Sequence, residues 1–325
     1  MTDDILGDQA FRKSDPYGRA AEMTYGGALS FLRRPYRRDL TGIDVAVMGV
    51  PYDGAVTYRS GARLGPRAIR AASVQLAELL AFPFGFDPFA TLAVADYGDV
   101  FLDPHHPETI IETIAAEAEK IIRQGTSLLS LGGDHFVTYP LLKAHAAVHG
   151  PLALIHFDAH CDTWDDGSET SLNHGTMFLR AKQQGLIDAG ASVQVGLRTY
   201  NDSDHGFKIL SAPWIHRNGV QAAIDAIRQR VGDRKVYLTF DIDVLDPAFA
   251  PGTGTPVPGG LSSAQALEIV RGLGGLAFVG MDVVEVAPAY DVSEITAIAA
   301  ATVAHDYLCL LAEARGAVRQ PVGDL

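Results

Sequence analysis

The sequence predicts an α/β protein with a single three-layer α/β/α domain, in which a mostly parallel central sheet lies between two layers of helices. Three observations predict this fold. From residue 43 onward, short apolar segments of strand length alternate with longer segments of helical periodicity. Several of the short segments are apolar throughout, which is typical of strands covered on both faces. The chain has 325 residues, 47% of them hydrophobic, so it can bury one large core.

The predicted strands and helices follow one another in order along the chain. The predicted strands cover residues 45–50, 92–100, 127–133, 152–158, 193–198, 236–243 and 277–286. The predicted helices are GPRAIRAASVQLAELLA, residues 108–123, LLKAHAAVH, residues 221–231 and SSAQALEIVRGL. Residues 1–40 precede the first clear strand and are interpreted as an N-terminal extension that wraps the domain or contacts another subunit. Residues 41–325 are predicted to form the domain itself.

The net charge and the number of cysteines indicate which kinds of partner and which cellular compartment are expected for this protein. Lys and Arg number 26 against 39 Asp and Glu, a net charge of −13, which disfavours nucleic acid because phosphate binding needs clustered positive charge. A small cationic ligand suits this field better. Two cysteines are too few for a disulfide framework, which predicts the reducing cytoplasm. We expect no membrane partner, since we find neither a signal peptide nor an apolar run of roughly 18 residues.

Three of the predicted strands end in clusters of Asp and His. The first cluster follows LSLGG, the second lies in LALIHFDAHCD, and the third lies in VYLTFDIDVLDP. Because ligands of parallel sheets bind beyond the carboxyl ends of the strands, these clusters are the first candidates for a functional site.

The clusters predict a site for two metal ions. Residues at i, i+2 and i+4 of an extended segment project to one side, so we expect Asp158, His160 and Asp162 to converge, and Asp241 and Asp243 to do the same. Carboxylates that leave buried strands together repel one another unless a cation compensates. The six predicted ligands are His135, Asp158, His160, Asp162, Asp241 and Asp243. This hard donor set without thiolate indicates manganese, while zinc, cobalt and nickel stay open.

Four polar neighbours are set aside from the ligand set. Asp134 and Asp246 are interpreted as structural residues or as groups that hold a ligand in place. His156 is in phase with Asp158 but lies deep in the apolar segment, and we leave it out for that reason. Cys161 lies between two predicted ligands on the opposite side and is given a packing role.

The sequence blocks around these clusters resemble the ureohydrolase family, which includes arginases, agmatinases and guanidino-acid hydrolases. The matching blocks span nearly the whole chain from about residue 40: GVPYDGAVTYRSGARLGPRAIR, GGDHFVTYPLL, HFDAHCDT, NHGTMF, LTFDIDVLDPAFAPGTGTPVPGGL and GMDVVEVAPAYDVSEITAIAAA. Within the family the chain is most similar to bacterial agmatinases, notably in NHGTMF and VVEVAPAYDVSEITA. Residues 163–166 replace the Asn-containing segment of arginases, so arginine is disfavoured as the substrate.

The resemblance implies an arginase/deacetylase-like fold and two Mn²⁺ per subunit on the same six ligands. It also implies that His174 in NHGT is the catalytic histidine and contacts the substrate, and that Glu285 in VVEVAP receives the guanidinium. The implied reaction is hydrolysis of agmatine to putrescine and urea by a metal-bridging hydroxide, which Asp162 orients. His174 would protonate the departing amine. A homo-oligomer, trimer or hexamer, is implied as well.

The tail of the substrate stays open at this point. The acidic loop of residues 164–169 suits the distal ammonium of agmatine, whereas Arg59 or Arg198 could bind the carboxylate of 4-guanidinobutyrate or another guanidino acid. More distant alternatives are a deacetylase of the related fold and a ureohydrolase-like binding subunit without catalysis. The six-ligand set disfavours the first alternative, and His174 and Glu285 disfavour the second.

Overall fold

Eight parallel strands form one sheet through the middle of the molecule, whose computed structural model describes residues 7–168 and 170–320. The strands are β1 (Val45–Val50), β2 (Val94–Asp99), β3 (Ser127–Gly132), β4 (Ala153–Phe157), β5 (Val193–Val195), β6 (Lys208–Leu210), β7 (Lys235–Asp241) and β8 (Ala277–Val284). Their order across the sheet is β2-β1-β3-β8-β7-β4-β5-β6. Every neighbouring pair is parallel, which confirms the predicted sheet.

Helices cover both faces of the sheet and complete the predicted three layers. They are α1 (Gln9–Arg12), α2 (Gly65–Ser73), α3 (Ile110–Ile122), α4 (Thr138–His149), α5 (Met177–Gln183), α6 (Ala212–Asn218), α7 (Val220–Val231), α8 (Ser263–Arg271) and α9 (Ile295–Ala314). Helices α2 and α6 to α9 pack into the core on one face, and α3 to α5 pack on the other.

The two cores explain why the strands lack alternation of apolar and polar residues. In β1, Val45 and Val47 belong to the core beneath α2 and α9, whereas Ala46 and Met48 belong to the core beneath α3 and α4. Both faces of the strand are therefore buried, so apolar side chains are favoured at every position.

Helix α9 is one of the elements that were not predicted from the sequence. By length and composition alone it is apolar enough to cross a membrane, with a mean hydropathy of 1.6 in its most apolar window. However, 72% of that window is buried inside the molecule. The helix packs between the sheet, α2 and α8, as a core helix does.

The described part of the N-terminal extension, residues 7–40, lies against the domain. Phe31 and Leu32 are fully buried in the core beneath α2, and the Arg34 guanidinium lies 3.8 Å from the centre of the Phe89 ring. These contacts hold the segment on its own subunit. The expectation of a contact with another subunit stays a prediction.

Candidate metal centre

The six predicted ligands lie together at the carboxyl ends of β3, β4 and β7, where parallel neighbours deliver their following loops to the same edge. His135 begins a 3₁₀ turn that follows β3. Asp158 comes directly after β4, and His160 and Asp162 follow in the loop. Asp241 is the last residue of β7, and Asp243 lies in the next 3₁₀ turn.

The residues converge, but the extended geometry predicted for them was wrong. Strand β4 ends at Phe157, and Asp162 has a left-handed backbone with φ of 50°. A tight loop, and not the pleat of an extended strand, therefore brings Asp158 and Asp162 to the same place. Strand alternation likewise stops at Asp241, before Asp243.

The first group of ligand atoms surrounds the His135 ring. Its Nδ1 lies 2.9 Å from Oδ2 of Asp158, 3.1 Å from Oδ2 of Asp162 and 3.2 Å from Oδ2 of Asp241. Within the described chain this buried Nδ1 has no hydrogen-bond partner of acceptable geometry. Three carboxylate oxygens that crowd one unpaired nitrogen are an arrangement that suits a divalent cation.

The second group shares Asp158 with the first. Nδ1 of His160 lies 3.2 Å from Oδ1 of Asp158 and 3.0 Å from Oδ2 of Asp243. Asp158 thus presents Oδ2 to one group and Oδ1 to the other, as a carboxylate that bridges two cations would. The ligand atoms of Asp158, His160 and Asp243 all lie within 4.8 Å of one another.

The charges of the cluster oppose one another strongly. Burial, followed by the charges of Asp243 and Asp158, raises the pKa of Asp241 well above its usual value. Burial and the charge of Asp158 raise the pKa of Asp243 as well. A divalent cation would relieve this repulsion and keep the carboxylates ionised, so the residues present fit a metal centre.

A chain of hydrogen bonds behind His135 sets the orientation of its ring. Nε2 of His135 lies 2.9 Å from Oγ1 of Thr239, which donates to Oδ1 of Asp282 at 2.5 Å. Tyr237 donates to the other oxygen of Asp282 at 2.7 Å. Because the Thr239 hydroxyl proton points to Asp282, Thr239 accepts the Nε2 proton of His135, and Nδ1 keeps its lone pair for a metal.

Thr239 and Asp282 were not predicted from the sequence. They face each other in the register of β7 and β8. Their only signal in the sequence is a polar side chain in each of two apolar strands, and no spacing rule connects them.

A cavity of about 110 Å³ opens onto the cluster. The residues that line it include three predicted ligands and all three predicted catalytic residues, of which Asp162 is both: Thr57, His160, Asp162, Trp164, His174, Gly175, Asp241, Thr255 and Glu285. Three larger cavities in the described part of the chain, of about 210, 350 and 370 Å³, are lined by residues outside the cluster. The small cavity is therefore the one that matters for chemistry.

Glu285 and His174 meet inside this cavity. Oε1 of Glu285 accepts the backbone N–H of His135 at 2.8 Å and lies 3.5 Å from Nδ1 of His174. Nε2 of His174 lies 3.0 Å from the Thr57 hydroxyl. Burial lowers the pKa of His174, but the hydrogen bond with Glu285 and the charge of Asp162 outweigh it and raise the pKa. The raised pKa favours the protonated form of the imidazole.

Glu285 shares with Asp162 a backbone conformation that is rare outside glycine. The φ of Glu285 is 64°, and its N–H donates to the carbonyl of Gly133 at 2.8 Å. Such a residue costs of order 1–3 kcal/mol and persists where the surroundings hold it. Two such residues in one cavity fit a functional site, because strain of this kind concentrates there.

The residues that were set aside differ in their position. Asp246 accepts three backbone N–H groups, from Ala248, Gly259 and Gly260, and lies outside the cluster. His156, by contrast, is fully buried with Nε2 only 2.7 Å from Oδ2 of Asp158. His156 was left out because it lies deep in the apolar segment, but it contacts a predicted ligand and so belongs to the site.

The charged groups that could bind the substrate tail differ in whether other residues already occupy them. The Arg198 guanidinium donates to five backbone carbonyls, which leaves it no free edge for a carboxylate: Gly196, Asp243, Val244, Leu245 and Val257. Arg59 lies over the rings of Tyr58 and Tyr290. In the acidic loop, Asp166 lies 3.5 Å from Arg180, and residue 169 is outside the described residues.

Comparisons with known proteins identify the family of this chain. Residues 43–309 match the model of the arginase family. An agmatinase of Chromobacterium violaceum is 62% identical over 96% of this chain and 97% of its own length. The crystal structure of a hypothetical agmatinase from Burkholderia thailandensis aligns with a TM-score of 0.94 and 62% identity, over 95% of this chain and 99% of that one. Proclavaminate amidino hydrolase from Streptomyces clavuligerus aligns with a TM-score of 0.85 and 40% identity, over 90% and 99%. This chain therefore belongs to the arginase family.

Proposed function

We propose that this chain is an agmatinase, which hydrolyses agmatine to putrescine and urea with two Mn²⁺ per subunit. The observation that carries the proposal is a single cavity in which metal-ligand side chains, His174 and Glu285 meet, in a chain 62% identical to an agmatinase. The coarser activity, hydrolysis of a guanidino or amidino group, follows from membership of the arginase family.

The cations would be held by the two groups that share Asp158. In the first group, Oδ2 of Asp158 lies near Nδ1 of His135 together with Oδ2 of Asp162 and of Asp241. In the second group, Oδ1 of Asp158 lies near Nδ1 of His160 together with Oδ2 of Asp243. Divalent cations, when bound, lower the pKa of water enough to supply hydroxide near neutral pH. The oxygen and nitrogen donors without thiolate suit manganese.

Glu285 is proposed to bind the guanidinium. Its Oε1 already accepts the His135 N–H, and Oε2 faces Gly254, where a Cβ would lie only 3.2 Å away. The glycine therefore leaves that oxygen open to a ligand. A carboxylate binds a planar guanidinium through paired charge-assisted hydrogen bonds, which would bring the carbon to the cavity wall that holds Asp162. Asp162 would orient the nucleophile by accepting its hydrogen bond.

His174 is proposed to supply the proton that the reaction needs. Addition of hydroxide to the guanidinium carbon gives a neutral tetrahedral species, and cleavage of its C–N bond requires the departing amine to gain a proton. The raised pKa of His174 favours the protonated ring. Its two nitrogens contact Glu285 and Thr57, so the proton can be held or passed at either end.

Agmatine is favoured over a guanidino acid because one of the two candidate cations is occupied. Arg198 is bound to backbone carbonyls, so only Arg59 could meet a carboxylate tail. The deciding experiment measures urea release by the manganese-loaded protein from agmatine, 4-guanidinobutyrate, 3-guanidinopropionate, arginine and guanidine. We expect the highest kcat/KM for agmatine. If a guanidino acid has a higher kcat/KM than agmatine, and R59A abolishes its hydrolysis, that acid would replace agmatine as the proposed substrate.

The same assay separates the more distant alternatives. A non-catalytic binding subunit would release no urea from any of these compounds, and a deacetylase would release acetate from acetylated amines instead. We also propose a cytoplasmic homo-oligomer, trimer or hexamer, acting on a small cation and not on nucleic acid or membranes. Light scattering coupled to size-exclusion chromatography tests the oligomer.

A further inference from the structure

His156 contacts a predicted metal ligand without belonging to the predicted ligand set. The residue lies in β4, two positions before Asp158, and its side chain is fully buried. Its Nε2 is 2.7 Å from Oδ2 of Asp158, the oxygen that also faces His135. Phe178 packs against the ring at 4.6 Å between centroids and holds it in this direction.

The other nitrogen of His156 is engaged by Gln194, its neighbour in the parallel register of β4 and β5. The Gln194 side-chain nitrogen lies 2.6 Å from the carbonyl oxygen of Cys161 and 3.1 Å from Nδ1 of His156. A carbonyl oxygen only accepts, so the group that faces Cys161 must be the NH₂ end of the amide. The reversed amide would place two oxygens 2.6 Å apart.

This orientation determines where the His156 proton sits. The Gln194 NH₂ group has two protons, one for the Cys161 carbonyl and one for Nδ1 of His156. Nδ1 is then an acceptor, so the neutral ring carries its proton on Nε2 and donates it to Asp158. A ring with a proton on Nε2 has no lone pair there and is not itself a metal ligand.

We propose that His156 is a positioning residue for the metal centre, which holds the shared carboxylate Asp158 by donating a hydrogen bond from Nε2, and that Gln194 selects the tautomer that makes this possible. The inference rests on the two-metal site of the proposed function but not on the identity of the substrate. Hydrogen bonds to ligating carboxylates are typically worth 10- to 100-fold in metal affinity. The same Gln194 amide ties the loop of the predicted ligands to β5 through Cys161.

The test compares Mn²⁺ affinity, by chelator competition, among four variants of the full chain. H156F removes the donor and keeps an aromatic ring, and we expect about 10- to 100-fold weaker binding of at least one cation. H156Q places an amide N–H near the Nε2 position, and we expect affinity within about threefold of the wild type. Q194L removes the donor that keeps the His156 proton on Nε2, so either nitrogen can carry it. We expect Mn²⁺ binding to weaken by about threefold or more.

The matched control is H305F, which replaces another buried histidine. His305 of α9 packs against Phe89, and no hydrogen-bond partner of its Nε2 is found in the described chain. H305F should keep the wild-type Mn²⁺ affinity. Because the control removes a ring of the same kind from the core, a loss confined to H156F and Q194L cannot come from general destabilisation.

A spectroscopic readout reports the tautomer directly. Solid-state ¹⁵N NMR of histidine-labelled protein, metal-free and zinc-loaded, identifies the His156 signals by their absence in H156Q. We expect a protonated Nε2 in both states of the wild type and a mixture of tautomers in Q194L. A proton on Nδ1 in the wild type, or Nε2 bound to zinc, would overturn the proposal.

The outcomes separate this inference from the proposed function. Wild-type Mn²⁺ affinity in H156F refutes the positioning role even if agmatine is hydrolysed. If the wild type binds two Mn²⁺ but releases no urea from agmatine, the proposed function fails, and the inference stands on the affinities of the variants. If H156F does not fold, the Mn²⁺ affinities of H156Q and Q194L test the positioning role instead. Equal Mn²⁺ affinity in Q194L and the wild type would then refute that role.

Discussion

Replacing Thr239 by Val should weaken metal binding without changing any predicted ligand. The hydroxyl of Thr239 stands between Nε2 of His135, at 2.9 Å, and the buried carboxylate of Asp282, at 2.5 Å. Valine has nearly the same shape but cannot accept a hydrogen bond. The Nε2 proton of His135 then loses its acceptor, in a residue that is only 1% exposed to water.

Two consequences set the size of the effect. A buried donor without a partner costs about 1–3 kcal/mol, which the folded protein avoids by moving the proton from Nε2 to Nδ1. A proton on Nδ1 occupies the lone pair that faces Asp158, Asp162 and Asp241. Loss of such a supporting contact typically lowers metal affinity 10- to 100-fold, which is about 1.4–2.8 kcal/mol.

The assay is chelator competition for Mn²⁺ with T239V, the wild type and the control T253V. Thr253 is also fully buried, and within the described residues its hydroxyl has no hydrogen-bond partner. T253V should therefore bind Mn²⁺ as the wild type does. The reasoning is refuted if T239V keeps the wild-type affinity, or if T253V loses as much as T239V.

Three further predictions test other parts of the molecule. H174A should keep two Mn²⁺ per chain and lose about 10²- to 10⁴-fold in turnover of agmatine, and unchanged turnover would remove His174 from the reaction. D241N should lose metal by elemental analysis, so a fully metallated and active D241N would contradict the ligand assignment. Burial lowers the pKa of His145 to about 4 in the folded chain, below its ordinary 6.5. The unfolded chain therefore takes up a proton first as pH falls from 6.5 to 4, and stability is lost over that range, by about 3 kcal/mol. In urea unfolding of metal-free protein, H145Q should lack this part of the pH dependence; an identical pH dependence in H145Q and the wild type would show that His145 does not cause it.

The fold was predictable because its pattern is local. A strand such as β1 is apolar on both faces, and an amphipathic helix such as α3 follows its own period, so neither depends on knowing its neighbours. Helix α9 was not predicted because it is buried on most sides, so its apolar residues show little helical periodicity. The short strand β6 escaped because three residues are too few to show a pattern.

The sequence by itself determined the parallel sheet and the six acidic and histidine side chains at its edge, since buried charge of one sign demands a cation wherever the strands place it. Only the tertiary structure decided how those side chains meet. The left-handed turn at Asp162 replaced the expected extended geometry, and His156 and Thr239 became supports of the site through contacts with Asp158 and His135. Such contacts depend on the register and order of strands far apart in the chain, which no local pattern encodes.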